Sequence, residues 1–326
     1  MILVLVEHAD GRPERTSLEA LVIARRLAEG GAGPIEAVLV GGGAAAANWL
    51  APQGVAVAHL VEHPDLVDYA PAAWAAAIQQ LMDRRSPMAI VASGTDRGNE
   101  VMAYVGARTG LPMAANCLTA EPATAGQPIE LTRQRWAGSL VEEARLSAST
   151  ALLTVAPHAV SEAGADAEGT PTVEVFAPEL TASDLTSRVV RRIEPDAGRV
   201  SLAEARVVVG GGRGVGSAEG FADLEELAAL LGGAVGVSRV VTSAGWRPHA
   251  EQVGQTGLRI APDLYIACGI SGAIQHIVGC QAAKVILAIN KDAEAPIMQR
   301  ARYAVIGDLH AIVPAISAEV RRVVGG

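Results

Sequence analysis

Five runs in the second half of the chain carry residue types suited to holding an anionic or heteroaromatic ligand. The first is Val209-Gly210-Gly211-Gly212-Arg213-Gly214-Val215-Gly216-Ser217. Glycines there would let the backbone approach a phosphate, and a following helix N-terminus would favour negative charge. The run does not satisfy G-x-G-x-x-G, lacks the acidic ribose reader about 20 residues on, and has Ser217-Ala218 where a P-loop has Lys-Ser/Thr. An ordinary NAD or P-loop site is therefore disfavoured, and a plain βα turn stays open. In the second run, Gln252-Val253-Gly254-Gln255-Thr256-Gly257, two glycines allow a tight bend and uncharged donors suit a ring edge; a polar surface loop is the alternative. The third, Cys268-Gly269-Ile270-Ser271-Gly272-Ala273-Ile274-Gln275-His276, reads as strand, turn and helix start. Its backbone N–H groups and His276 could face one anion, although a lone histidine is often a core or capping residue. The fourth and fifth put Asn290 and Asp308 at the ends of the apolar runs Val285–Ile289 and Tyr303–Ile306. Either residue alone could simply cap the next helix.

These runs need strands that end on one edge. Short β-branched runs alternate with helical stretches along most of the chain, which predicts α/β architecture: two domains, each with a mostly parallel sheet flanked by helices. Strands are expected at Ile2–Val6, Ile35–Val40, Val55–Val61 and Met88–Ala92, with helices at Ser17–Glu29, around Pro71–Met82 and at Asn99–Arg108. Thr95-Asp96-Arg97-Gly98 reads as a helix cap. Ile129–Arg135, Ser139–Ala148 and Leu152–Val155 read as an antiparallel addition to the first sheet, and residues 160–171 as a polar loop. A linker is placed near 190–203, giving domains at 1–195 and 203–326. The second domain is expected to use strands Arg206–Val209, Ala234–Val237, Leu264–Cys268, Val285–Ile289 and Tyr303–Ile306, with helices Ala218–Leu231 and Ala311–Val324. Ligands of open α/β sheets bind along the carboxyl edge of the strands, where all five runs fall.

Composition narrows the function. The 326 residues carry a formal charge of −9, so the electrostatic footprint of a nucleic-acid or polybasic membrane binder is missing. Aromatic residues are 3% of the chain, too few for a base-stacking platform. Cys117, Cys268 and Cys280 form no C-x-x-C pair, which argues against iron–sulfur, structural zinc and disulfide frameworks, and no metal site is expected. The opening apolar run has no basic n-region, and no stretch of 18 apolar residues follows, so a cytoplasmic protein without a membrane span is expected. No general-base dyad or nucleophile triad is visible, and His249 and His310 have no motif support.

The five runs, with Ser238-Arg239 and the segment Leu264-Tyr265-Ile266-Ala267 ahead of Cys268, resemble the electron transfer flavoprotein α-subunit family. The resemblance is specific from Arg206 to about Pro314; the first half resembles the family in length and strand order, with weaker motifs. It implies a Rossmann-like, deoxyhypusine-synthase-like C-terminal domain that binds FAD, and an N-terminal domain that meets a β subunit in a heterodimer. It further implies electron transfer from flavoprotein dehydrogenases, such as the acyl-CoA dehydrogenases of fatty acid β-oxidation, to a membrane quinone oxidoreductase. Carried over by motif, Arg213 lies on the phosphate and adenosine side, and Ser238 and Arg239 approach the flavin. Val253, Gly254, Gln255 and Thr256 line the ring system. Ser271, Gly272, Ala273, Ile274, Gln275 and His276 hold the pyrophosphate and ring edge, and Asn290, Asp308 and Leu309 bind the ADP portion. Arg239, Thr256 and His276 would tune the flavin without making bonds. Positive charge on Arg239 and His276 would favour an anionic semiquinone, and Thr256 would hydrogen-bond flavin N5. Ser243 stands where Asp is common in the family, and Leu258 where a basic residue is common; both bear on partner preference. Two other readings are an NAD-dependent enzyme of the deoxyhypusine-synthase-like or sirtuin-like fold and a non-redox adenine-nucleotide module; both predict colourless protein.

Overall fold

The computed structural model describes residues 1–122, 124, 126–161, 170–189, 200–203 and 205–324. The chain divides into two compact units, Met1–Arg192 and Ile193–Gly326. Residues 190–199 and 204, which hold most of the expected linker, lie outside the described residues, as do 162–169 of the expected polar loop.

In chain order, the first unit begins with β1 (Ile2–Leu5), the hairpin β2 (His8–Ala9) and β3 (Arg12–Pro13), α1 (Arg15–Leu27) and β4 (Ile35–Val40). It continues with α2 (Ala44–Ala47), β5 (Val55–Val61), α3 (Pro71–Arg85), β6 (Ala89–Ser93), α4 (Asp96–Thr109) and β7 (Met113–Ala120). It closes with β8 (Ile129–Arg135), β9 (Leu140–Leu146), β10 (Ala151–Val155) and β11 (Thr172–Phe176). The main sheet runs β11-β5-β4-β1-β6-β10-β7-β8-β9. Only the pairs β7–β8 and β8–β9 are antiparallel in it. The side-chain period of two sends Ile2 and Val4 into one apolar layer and Leu3 and Leu5 into the other.

One sequence expectation is corrected here. β10 is not part of an antiparallel addition; it lies in the sheet interior, parallel to both β6 and β7. Every residue of β10 is buried, as an apolar run in a two-faced interior slot must be. β9 alternates exposed and half-buried residues and suits the edge. Strands β7 and β11 had no sequence signal, because Asn116, Thr119, Thr172 and Glu174 dilute their apolar pattern.

At the carboxyl end of β1, the Glu7 carboxyl is buried and accepts a hydrogen bond from Thr95 Oγ1 at 2.5 Å. Thr95 Oγ1 also accepts from the Gly98 amide at 2.9 Å, so it caps α4 as its sequence suggests. Burial raises the Glu7 pKa to about 7 against the lowering effect of that hydroxyl, with Glu14, Arg97 and Asp96 as further charged neighbours.

The second unit contains β12 (Val207–Gly211), α5 (Ala222–Leu230), β13 (Ala234–Val237), α6 (Arg239–Ser243), β14 (Leu264–Cys268) and α7 (Ile274–Cys280). It ends with β15 (Val285–Asn290), α8 (Pro296–Arg300), β16 (Tyr303–Ile306) and α9 (Leu309–Val324). All pairs in the order β13-β12-β14-β15-β16 are parallel. One apolar layer joins Leu224, Leu227 and Val313 of α5 and α9 to Val209, Ile266 and Ile289. The opposite layer joins Cys280 and Ile297 of α7 and α8 to Val208, Tyr265 and Ala288. Among the described residues, no helix is long and apolar enough to cross a membrane.

Candidate functional site

Parallel pairing puts the carboxyl ends of all five strands of the second unit on one edge. In the order 2-1-3-4-5 the chain reverses direction across the sheet between β12 and β14, and the crevice at that switch point is where such sheets bind ligands. The loops after these two strands touch. A Cβ built on Gly214 would stand 2.7 Å from Gly269 Cα, and one on Gly212 2.7 Å from Ile270 Cα. The glycines of the first run thus serve loop-to-loop contact, a second reason for their presence beside access to a phosphate. Gly214 donates to the Gly269 carbonyl at 3.0 Å, which locks the pair of loops.

The helix-dipole part of the sequence reading is corrected. After Gly212 come two 3-10 turns, Arg213–Val215 and Glu219–Phe221, and α5 begins only at Ala222 with Asp223 and Glu225 in its first turn. α6 and α7 have five and seven residues. Such short segments sum few peptide dipoles, so side chains and loop amides carry the burden of holding an anion. Arg213 and Arg239 are both exposed, and neither has an ion-pair partner among the described residues. Ser238 precedes α6 without using its hydroxyl as a cap.

The Gln252–Gly257 loop is closed by Leu258 N donating to the Gln252 carbonyl at 2.7 Å, and pinned by Gln255 N donating to the Gln275 carbonyl at 2.7 Å. Gly254 has φ 146°, and a Cβ there would lie 2.8 Å from that same Gln275 oxygen. Only glycine allows this close approach. Gln255 and Thr256 are exposed, whereas the Val253 side chain is buried in the core, leaving its backbone alone to meet a ligand. Gln252, absent from the sequence-based candidates though it opens the motif, is buried and bridges two hydroxyls. Its Oε1 accepts from Thr242 Oγ1 at 2.6 Å, and its Nε2 donates to Thr256 Oγ1 at 2.9 Å. Thr256 therefore accepts from Gln252 and keeps its own proton for another partner.

Ser271, Ala273, Ile274 and Gln275 are exposed at the mouth of the edge, with Ile274 at 72%. Gly272 packs against Ile297, where a Cβ would meet its Cα at 2.7 Å. Asn290 holds this loop in place: its Nδ2 donates to the Ile270 carbonyl at 2.9 Å and its Oδ1 accepts from Asp292 N at 3.1 Å. Asp308 is exposed and accepts from His310 N at 3.1 Å. The Lys291 ammonium, 3.0 Å away, and that amide hold its carboxyl below the usual range. Leu309 is core, so only its backbone can face a ligand. Asn290 and Asp308 thus fulfil the local capping roles that their positions allow.

His276 differs from its sequence expectation. It is 6% exposed, and its Nε2 lies 2.7 Å from Tyr265 Oη. Burial pushes its pKa down to about 4, opposed only weakly by the nearby Val253 carbonyl. It is therefore neutral near pH 7, and the expected cation is replaced by a neutral imidazole. Its Nδ1 is buried without a hydrogen-bond partner among the described residues. Ser243 and Leu258 are both exposed.

The edge fits a dinucleotide with a heteroaromatic head: two guanidiniums without ion-pair partners among the described residues, a free Thr256 donor, an orphaned imidazole nitrogen and an exposed apolar Ile274. Residues 201–281 match the family described as the electron transfer flavoprotein FAD-binding domain, and residues 2–181 match the electron transfer flavoprotein domain. FAD is thus the cofactor of the second unit. The chain is 38% identical to an electron transfer flavoprotein subunit alpha of Mycobacterium tuberculosis, over 98% of each chain. It is 35% identical to the subunit alpha of Mycobacterium leprae, again over 98% of each. With Protein FixB of Clostridium saccharobutylicum it shares 34% identity, over 99% of this chain and 97% of the relative. An edge shaped for a flavin dinucleotide and kinship along the whole chain lead to one conclusion: this protein belongs to the electron transfer flavoprotein α-subunit family.

Proposed function

We propose that the chain is the α subunit of a heterodimer, with an electron transfer flavoprotein β subunit as its partner. In this reading the dimer carries electrons from flavoprotein dehydrogenases, including acyl-CoA dehydrogenases, to a membrane quinone oxidoreductase, from the cytoplasmic side. The first unit, to about residue 195, supplies the partner interface, and residues 203–326 hold FAD. The observation that carries the reading is the gathering of Arg213, Ser238, Arg239, Thr256, Ser271–Gln275 and the orphaned His276 Nδ1 on one parallel-sheet edge. FAD, when bound, supplies acceptance and release of one or two electrons.

The chain's own groups bind, orient and bias. Arg213 neutralises phosphate charge, helped by backbone amides of the Ser271–Gln275 loop. Arg239 places positive charge where reduction adds negative charge. Thr256, held by Gln252, offers a hydroxyl proton, and His276 offers a neutral N–H. Asn290 supports the loop after β14, Asp308 is offered to the ADP portion, and Ile274 offers apolar surface to a ring. Among the described residues of this edge, no side chain is arranged as a nucleophile with a base. The experiment is co-expression with the β subunit, then flavin stoichiometry and a reductive titration. A yellow heterodimer with FAD bound at one site of this chain is expected. Colourless protein that refuses added FAD but binds NAD or AMP would overturn the reading.

A further inference from the structure

His276 is neutral, and its chemistry toward a ligand depends on which ring nitrogen carries the proton. Tyr265, buried on β14, decides this. Its ring fills the space left by the missing side chain of Gly210 on β12, so its position is fixed. Its hydroxyl has one hydrogen-bond partner among the described residues, His276 Nε2 at 2.7 Å. Cys268 and Cys280 lie nearby as protonated thiols, each pushed up to about 12 by burial.

Two tautomers are available. With the proton on Nε2, the phenol must accept, so its own proton and the Nδ1 lone pair are both buried without partners. With the proton on Nδ1, the phenol donates to Nε2, and a single donor, Nδ1–H, remains to be met. Folded proteins leave few buried polar groups unmet, and the second arrangement leaves fewer. The Val253 carbonyl near the ring adds to this preference, although it forms no well-aligned hydrogen bond.

We propose that Tyr265 is a positioning residue that fixes His276 as the Nδ1–H tautomer, so that this histidine offers the bound FAD a neutral donor. The proposal rests on the FAD reading for its ligand, but the tautomer itself does not. Nothing in the motif pattern singles out Tyr265; its role comes from the register, which pairs it with Val208 so that its ring reaches diagonally into the space at Gly210, and from its hydrogen bond to His276 of α7.

The test uses the heterodimer with 15N-labelled histidine and a long-range proton–nitrogen correlation. The native protein should show the His276 proton on Nδ1. Tyr265→Phe should keep its FAD, move proton population toward Nε2 and change the flavin's relative affinity between oxidation states about tenfold, which is ~59 mV for one electron. A native proton on Nε2 overturns the proposal, as does a Tyr265→Phe protein with unchanged potential. Should Tyr265→Phe fail to fold, His276→Asn and His276→Gln replace it. The Asn amide lies near the Nδ1 position and the Gln amide near Nε2, so His276→Asn should stay closer to the native potential. The reverse order overturns the proposal. A heterodimer without FAD defeats the cofactor reading, whereas its His276 tautomer still tests the role of Tyr265.

Discussion

Acid should loosen the second unit through His276 in particular. The folded ring titrates at about 4, whereas an unfolded histidine titrates near 6.5. Below 6.5 the unfolded chain therefore binds the additional proton first, and stability falls as pH drops from 6.5 toward 4. At about 1.36 kcal/mol per pH unit, the loss reaches ~3 kcal/mol, or roughly a 300-fold larger opening constant. The stabilisation is complete above 6.5, and below 4 this group adds no further slope. Protonation also denies Nε2 to the Tyr265 hydroxyl, so β14 and α7 should loosen together. The assay is urea-dependent hydrogen exchange of amides in β14 and α7, corrected for intrinsic exchange, across pH 7 to 4. His276→Gln keeps a polar group near Tyr265 and cannot titrate. The native protein should lose stability in this window while the variant loses much less. Equal pH dependence in the two proteins would refute a buried neutral imidazole.

Three other outcomes are expected. Glu7 titrates in the opposite sense: its folded pKa of about 7 exceeds the unfolded value of 4.5, so its contribution is lost as pH rises through that window. Glu7→Gln should flatten this slope for the first unit and gain stability at pH 8, by up to ~3 kcal/mol, in denaturant titrations followed by exchange in β1 and β6. Arg239→Ala should retain FAD but lower the one-electron potential by about 65–130 mV, from about 1.5–3 kcal/mol per charged hydrogen bond. Its exposed position makes the smaller value apply at high salt; a redox titration reads both. Gly214→Val should push apart the loops after β12 and β14, because its Cβ lies 2.7 Å from Gly269 Cα. FAD content of the purified heterodimer should fall at least tenfold while the first unit keeps its native exchange pattern.

The amino-acid sequence by itself determined the alternation of strand and helix and the placing of Arg213, Ser238 and Ser271 just after strands. Periodicity and turn residues are local properties, so they survive without a fold. Strand pairing is not local: β10 looks like β8 and β9 in composition, yet its fully apolar run took an interior parallel slot. Side-chain state is not local either. His276 reads as a ligand-facing cation from its motif, but packing against Tyr265 removes it from water and makes it neutral. Asn290 and Gln252 show the same dependence on neighbours. Neighbours brought together by the sheet engage both polar ends of Asn290, and set Gln252 between Thr242 and Thr256. Sequence chose which groups reach the edge; tertiary packing decided which of them arrive with a free proton, a charge or an empty lone pair, because burial and partners set those quantities.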